Sequence, residues 1–327
     1  MSGVHQTIVG KDEAEQRLDR WFKRRYPTLT HGRLEKLLRT GQIRVDGARA
    51  KASTRLEVGQ TIRIPPLGDA AAKKKADAMG NVSDKDAAMI RSIVIYKDSD
   101  MLAINKPAGL AVQGGTKTTR HVDGMLDALA FDAPERPRLV HRLDRDTSGV
   151  MLLARTVKAA TRLGKAFQEG DMKKVYWALV HGRPHFPMGT IDAALAKGGD
   201  VGFERMEWND DDGQDAVTDY MTVTHAADKF TWLALMPRTG RTHQIRAHCA
   251  IMKTPIIGDI KYGAPKLYDE GELKGLTQQL CLHARSLTVT LPNRKQAIIT
   301  APLPPHMAAL FKALGFDERE GDEMDAG

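Results

Sequence analysis

Apolar residues along this chain repeat with two periods, and the period changes from one stretch to the next. Leu18, Trp21 and Phe22 fall at helical spacing, as do Leu34, Leu37 and Leu38, while Arg33, Lys36 and Arg39 fill the rest of the second helix. Pro27 ends the first helix, Thr30 is placed to cap the second and Gly41 to stop it. Ile43-Arg44-Val45 then alternates as a strand into an Asp46-Gly47 turn, and Gln60 to Ile64 alternates again before Pro65-Pro66. Two small helices with short strands make a compact unit over residues 15–66. Residues 67–90, with Ala70 to Lys75 and Gly80 to Asp86, hold little to bury and read as a linker.

From Ile93 onward short apolar runs broken by turn residues dominate. Ile93 to Tyr96 and Met101 to Ile104 flank Lys97-Asp98-Ser99-Asp100 as a hairpin. Val122, Met125, Leu126 and Leu129 share a helical face, Val150 to Ala154 has strand length, and Ala159 to Phe167 reads as a helix. Further strands are predicted over Lys173 to Val180, Ala216 to Thr224, Thr231 to Met236 and Leu287 to Leu291. Strands outnumber helices and short turns join many of them, so the class is α+β with a largely antiparallel sheet. The end of the chain, residues 316–327, sets six acids between Asp317 and Asp325 against Arg319 and reads as a solvated acidic tail.

Charge adds an asymmetry that the pattern does not show. The chain has 327 residues, enough for two domains, and a net charge of +8, yet residues 1–66 alone hold fourteen Lys/Arg against seven Asp/Glu. That excess suits a polyanionic partner for the N-terminal unit, or else a basic surface kept for solubility. Two cysteines, Cys249 and Cys281, exclude a disulfide scaffold and point to a reducing compartment. Met1 to Gly10 lacks the layout of a signal peptide, and no apolar run approaches the ~20 residues of a membrane helix, so a cytoplasmic location without membrane contact is expected. Glycine patterns for phosphate loops or dinucleotides are absent, which argues against a nucleoside triphosphatase or a nicotinamide enzyme.

Two polar clusters carry the candidate chemistry. His141-Arg142-Leu143-Asp144-Arg145-Asp146-Thr147-Ser148-Gly149 packs a histidine, two arginines and two carboxylates immediately before the apolar run at 150–154. A loop of that composition at the mouth of a core is a place for catalytic groups, although charged turns are also common. The second cluster is Pro237 to His248, in which Thr242, Arg246 and Cys249, or Gln244 and His248, can share a helical face. His243, His248 and Cys249 lack a fourth partner at zinc-motif spacing, so a metal site is not expected.

Together these pieces resemble the RluA family of RNA pseudouridine synthases. The likeness runs from about Ile93 to Ala301 through Asn105-Lys106-Pro107, the His141–Gly149 motif, Tyr176, the Thr239–His248 cluster, Gly258-Asp259-Ile260-Lys261-Tyr262-Gly263 and Leu282-His283-Ala284. Residues 15–66, and Gly41 to Gly47 above all, resemble the S-four RNA-binding domain of small-subunit ribosomal proteins. With Ile64-Pro65-Pro66 and Ala111 to Gly115, the chain is most similar to members acting on large-subunit rRNA. It departs at Gln113, where the family leads one to expect histidine, and in the acidic stretch Glu204 to Asp215.

The resemblance implies a catalytic domain over residues 91–315, a mixed, largely antiparallel sheet with helices and loops around a cleft, working as a monomer. It implies isomerisation of uridine in structured RNA after the base is flipped out, with no cofactor and no metal. By that likeness Asp144 is the reacting carboxylate, with Asp146 its rival on composition alone. Arg246 pairs with it, and Tyr176 covers the carboxylate and the uracil ring and is a candidate for moving the C5 proton. Arg142 supports the flipped nucleotide, while Lys106, Arg145 and Arg241 are candidates for phosphate contacts. Arg17, Arg20, Arg33, Lys36, Arg39 and Arg44 would hold phosphates in the N-terminal unit. Two competing functions remain on the residues alone. One is a metal-dependent RNA nuclease using Asp144, Asp146 and His141; the other is a non-catalytic RNA-binding or ribosome-assembly factor.

Overall fold

In the computed structural model, residues 4–10, 13–26, 29–67, 82–115, 118–199, 205–266, 273, 275–276 and 279–325 are described. The chain divides into two compact units, residues 1–81 and 82–327. In the first, helices Leu18–Arg25 and His31–Arg39 bury the leucines and aromatics that set their periodicity. They pack with Ile43 and with Val45, Ile62 and Ile64 from a four-stranded sheet. Its strands are β1 (His5–Ile8), β2 (Arg44–Val45), β3 (Ala48–Arg49) and β4 (Thr61–Ile64), in the order β1-β4-β2-β3. β1 escapes the sequence reading because its alternation is between half-buried and exposed positions. Thr30 does occupy the N-cap position, but its side chain makes no capping hydrogen bond. Pro27 and the lysines at 73–75 lie outside the described residues.

The expected linker over residues 67–90 overlaps a helix at its end. Asp84–Ser92 is a helix, with Ser83 accepting a hydrogen bond from Asp86 N and Asp84 and Asp86 in its first turn. The polar stretch that reads as linker is a helix start: a serine cap and acids where the helix dipole favours them. Ile90 anchors this helix in the core.

The second unit is built on one large sheet. Its strands are β5 (Val94–Lys97), β6 (Met101–Lys106), β7 (Arg138–Leu139), β8 (Ser148–Ala154), β9 (Lys173–His181), β10 (Met188–Asp192), β13 (Val217–Ala226), β14 (Phe230–Pro237), β15 (Leu282–Thr290) and β16 (Gln296–Thr300). The order is β10-β13-β14-β9-β15-β8-β6-β5, with β16 added to β15 and β7 to β8. A separate hairpin pairs β11 (Leu195–Gly198) with β12 (Arg205–Trp208). Only β8 and β15 run parallel among these pairs, so the sheet is largely antiparallel, as the short turns predict. Their approach is close: Gly149 sits at φ 110° and a Cβ there would overlap the Ala284 carbonyl, so only glycine fits.

β6 and β8 are covered on both faces, which is why their residues read as continuous apolar runs. Met101, Ala103, Val150 and Leu152 pack under helix Val157–Glu169 through Ala159 and Leu163. Leu102, Ile104, Met151 and Leu153 pack on the other side with Val122, Leu126 and Leu143. At roughly 1.5–3 kcal/mol for each fully buried large aliphatic, these two layers fix the strand end from which the polar loop emerges.

Within its described residues, the acidic stretch packs through part of its length rather than being solvated throughout. Glu318–Asp325 is helical, Gly321 lies against the edges of Trp177 and Trp232, and Asp322 and Glu318 accept from the buried Arg285 guanidinium. Arg285 in turn stacks on Trp177 at 4.1 Å. A run of acids looked solvated because its cationic partner sits on a strand more than thirty residues earlier. Among the described residues, no helix is long and apolar enough to cross a membrane.

Candidate active site

Leu143 anchors the polar loop. Its side chain is buried with the Leu110 and Met151 cluster, so its neighbours Arg142 and Asp144 are held at the surface of a cavity of about 630 Å³. A turn closes the loop, with Thr147 N donating to Asp144 O at 3.2 Å. The loop is then pinned to residues 106–110: Gly109 N donates to Arg145 O, and Arg145 Nε donates to Gly109 O. Sheet register brings the other parts together, since Tyr176 on β9 and Gly149 on β8 both pair with Ala284 between them.

Asp144, Tyr176, Arg246, Arg142, Arg145 and Arg241 all line this one cavity. Asp146 does not line it and is exposed. The Asp144 carboxylate, 30% exposed, lies 4.0 Å from Arg246 Nη1 and 3.9 Å from His243 Nε2. Arg246 does approach Asp144, but its bidentate partner is a different acid. Its Nε and Nη2 each donate to Asp259 at 2.7 Å, and Tyr262 packs its ring 5.1 Å from the guanidinium. Asp259 and Tyr262 therefore fix the angle at which Arg246 meets Asp144. Burial first, and then the Asp144 charge, push the Tyr176 phenol well above its ordinary pKa. At neutral pH the ring is the neutral phenol.

Lys106 is not available to phosphate. It is fully buried, and its Nζ donates to the carbonyls of Pro107, Leu110 and Arg145. Burial pulls its pKa down to about 7, against the pull of Asp146 and Asp144, and three carbonyls match the three protons of the charged form. A lysine that reads as a phosphate contact is a clamp on the polar loop. Arg241 Nε donates to Asp215 O, and Arg142 Nη1 lies 3.4 Å from Gln113 Oε1, the residue standing where the family resemblance leads one to expect histidine. In the N-terminal unit Arg17 pairs with Asp19 and Arg44 donates to the carbonyls of Gly41 and Gly47. Arg20, Lys36 and Arg39 are exposed and Arg33 is half-buried.

Neither metal arrangement weighed from sequence is assembled. His141 Nε2 accepts from Leu152 N at 2.8 Å, its ring stacks on Phe167 at 4.2 Å, and burial pulls its pKa down to about 4. His248 bonds Thr218 Oγ1 and Ala193 O, and Cys249 is fully buried. Among the described residues no three His, Cys, Asp or Glu side chains are grouped to hold a metal ion.

A family model described as RNA pseudouridylate synthase matches residues 100–251. Ribosomal large subunit pseudouridine synthase C of Rickettsia prowazekii is 36% identical over 276 residues, covering 83% of this chain and 88% of that protein. RNA pseudouridine synthase 4, mitochondrial, of Arabidopsis thaliana is 34% identical, covering 90% of this chain and 78% of its own. The chain belongs to the RNA pseudouridylate synthase family. A solved human structure, RNA Pseudouridylate Synthase Domain Containing 4, superposes with TM-score 0.60 at 29% identity, covering 71% of this chain and 96% of that one. Within this pseudouridylate synthase, His243, Asp259 and Tyr262 are the site residues that the sequence reading passed over. The sequence offers His243 only as a metal-ligand candidate, and Asp259 and Tyr262 only as part of the Gly258–Gly263 motif, without a role.

Proposed function

We propose that this synthase isomerises specific uridines in large-subunit rRNA, with Asp144 as the reacting carboxylate. The observation that carries the assignment is the placement of Asp144. It is a partly exposed carboxylate in a nucleoside-sized cavity, beside an arginine already oriented by Asp259 and in the same cavity as a neutral tyrosine. In the reaction the N1–C1′ bond breaks, the uracil turns, C5 bonds to C1′, and the C5 proton is released while N1 gains one. No electrons or groups enter or leave. The Asp144 carboxylate supplies the nucleophile, and Arg246 keeps it oriented.

The flipped uridine is taken up with Arg142 at the mouth, a planar cation able to stack and donate where the base was. Arg145 and Arg241 stand beside it as phosphate contacts. Residues 15–66 act as an S-four-like grip on RNA through Arg20, Arg33, Lys36 and Arg39, with Arg17 and Arg44 contributing less because internal partners already hold them. The rRNA substrate agrees with the name of the Rickettsia relative. A reducing, cytoplasmic setting suits the two buried, unpaired cysteines.

Tritium release from rRNA labelled at uracil C5 tests the activity. The expected result is release with intact strands, unchanged by EDTA. Strand scission that EDTA abolishes would favour a nuclease, and binding without release would favour an assembly factor.

A further inference from the structure

Among the described residues, His243 stands beside Asp144 and the proposed chemistry leaves it without a task. Its backbone lies at φ 52°, ψ 18°, the left-handed region, where a residue with a Cβ is disfavoured. It stands at the N-terminal boundary of helix Gln244–Ile251, yet its side chain caps nothing. Strain of this kind persists where the surroundings over-determine it, and an observed outlier is a reason to look for function. Here the unusual backbone sends the ring into the cavity.

The ring is held from behind. Nδ1 lies 3.1 Å from Tyr262 Oη, and Tyr262 Oη accepts a hydrogen bond from Met206 N at 2.9 Å. A phenol has one proton to give. With its oxygen accepting from Met206, the arrangement that uses the phenol proton has Tyr262 donating it to Nδ1, which leaves the neutral imidazole's own proton on Nε2. Nε2 is the atom 3.9 Å from Asp144 Oδ2.

We infer that His243 is a positioning residue for Asp144, presenting a neutral Nε2–H donor whose tautomer is set by the Met206–Tyr262 relay. The inference rests on Asp144 being the reacting carboxylate. The separation of 3.9 Å closes when substrate fills the cavity, as catalytic hydrogen bonds commonly tighten on binding. Neutrality matters because Arg246 already has its counter-charge in Asp259. A neutral donor fixes the rotamer of Asp144 without pairing off the charge that makes it nucleophilic. The groups facing the ring are Asp144 from the loop, Arg246 from its own helix, and Asp259, Lys261 and Tyr262 from the segment beyond. Burial, with Arg246 and Lys261, pulls the imidazole pKa down against the pull of Asp144 and Asp259.

Five proteins test this: wild type, His243→Asn, Tyr262→Phe, the double variant and, as control, Asp144→Asn. Asparagine tolerates the left-handed backbone but its amide is too short to reach Asp144. The inference predicts that His243→Asn folds with a Tm no lower than wild type and binds RNA within about threefold, while kcat falls roughly 10- to 100-fold. Tyr262→Phe lowers kcat by a smaller factor, and adds nothing in the His243→Asn background because the two act as one unit. Wild-type kcat in His243→Asn, or fully additive losses in the double variant, would overturn it. Should His243→Asn fail to fold, Tyr262→Phe alone decides, with unchanged kcat counting against the inference. If instead Asp144→Asn retains wild-type turnover, it is the underlying assignment that fails.

Discussion

Around the two short helices of the N-terminal unit, the side chains of Arg20, Arg33, Lys36 and Arg39 make no hydrogen bond or ion pair with the described residues. In the catalytic unit Lys106, Arg155, Arg246 and Arg285 are all buried, and each is held by internal partners. The same residue types therefore do different work. An unpartnered cation on a helix keeps its hydration and is free to exchange it for phosphate. A buried cation has lost water and persists only because its partners replace that water, so it serves the geometry of the protein and is lost to RNA. Counting charge along the chain cannot separate the two.

The comparison breaks most sharply at Arg246. Asp259→Asn removes the charge opposite a buried guanidinium, and the expected cost is about 3–5 kcal/mol of stability by denaturant titration, with turnover reduced as well. Arg246→Lys keeps the charge but loses the two-pronged fork, so turnover falls substantially. Full activity in both variants would mean that the Arg246–Asp259 pair does not orient Asp144.

Lys106→Met comes next, since three carbonyls lose their donor. Stability should drop by roughly 1–3 kcal/mol or more, and turnover should fall with it as the loop loosens, while RNA affinity hardly changes. A selective loss of RNA affinity would return Lys106 to the role that its sequence position suggests.

Acid should find the buried histidines of the catalytic unit. His283 is fully buried between Ser148 Oγ and Ala301 O, and burial pulls its pKa down to about 4. The folded pKa is below the unfolded value near ~6.5, so the unfolded chain takes the proton first as pH falls. Its contribution is whole above about pH 6.5 and is lost between there and about pH 4, a change of about 3 kcal/mol. A pH-stability profile of wild type and His283→Gln checks this; parallel profiles would contradict it.

The smallest stability effect is expected from replacing Arg20, Arg33, Lys36 and Arg39 together with glutamine. Stability should move by under about 0.5 kcal/mol for each, whereas the slope of log K against log salt for rRNA should flatten by roughly 0.7–0.9 per lost phosphate contact. An unchanged slope would leave the N-terminal charge without a role in gripping RNA.

Much of the fold was legible because the strands of the core obey simple rules. The runs at 150–154 and 173–180 became β8 and β9, and the hairpin at 93–104 formed as the turn residues predict. β15 was seen only from Leu287, although it starts at Leu282, because His283, Arg285 and Ser286 look polar. His283 has Ser148 and Ala301 as partners and Arg285 has Asp322, and none of these is near in sequence. The candidate site shows the same limit. Asp144, Tyr176 and Arg246 were legible as a set only through resemblance, and the structure places them in one cavity. What held them, Asp259, Tyr262 and the Lys106 clamp, was illegible because it depends on which loops the sheet brings together. The helix Glu318–Asp325 was hidden for that reason too.

The central claim is that Asp144 carries the reaction in a cavity assembled from the loop, β9 and the arginine helix. It is tested most directly by tritium release from C5-labelled rRNA with wild type, Asp144→Asn and Asp146→Asn, each at saturating RNA and with RNA affinity measured alongside. Asp144→Asn should release no tritium above background while binding RNA within a few-fold of wild type, and Asp146→Asn should stay within about tenfold of wild-type turnover. Tritium release by Asp144→Asn at a rate near wild type, or loss of activity confined to Asp146→Asn, would contradict the account.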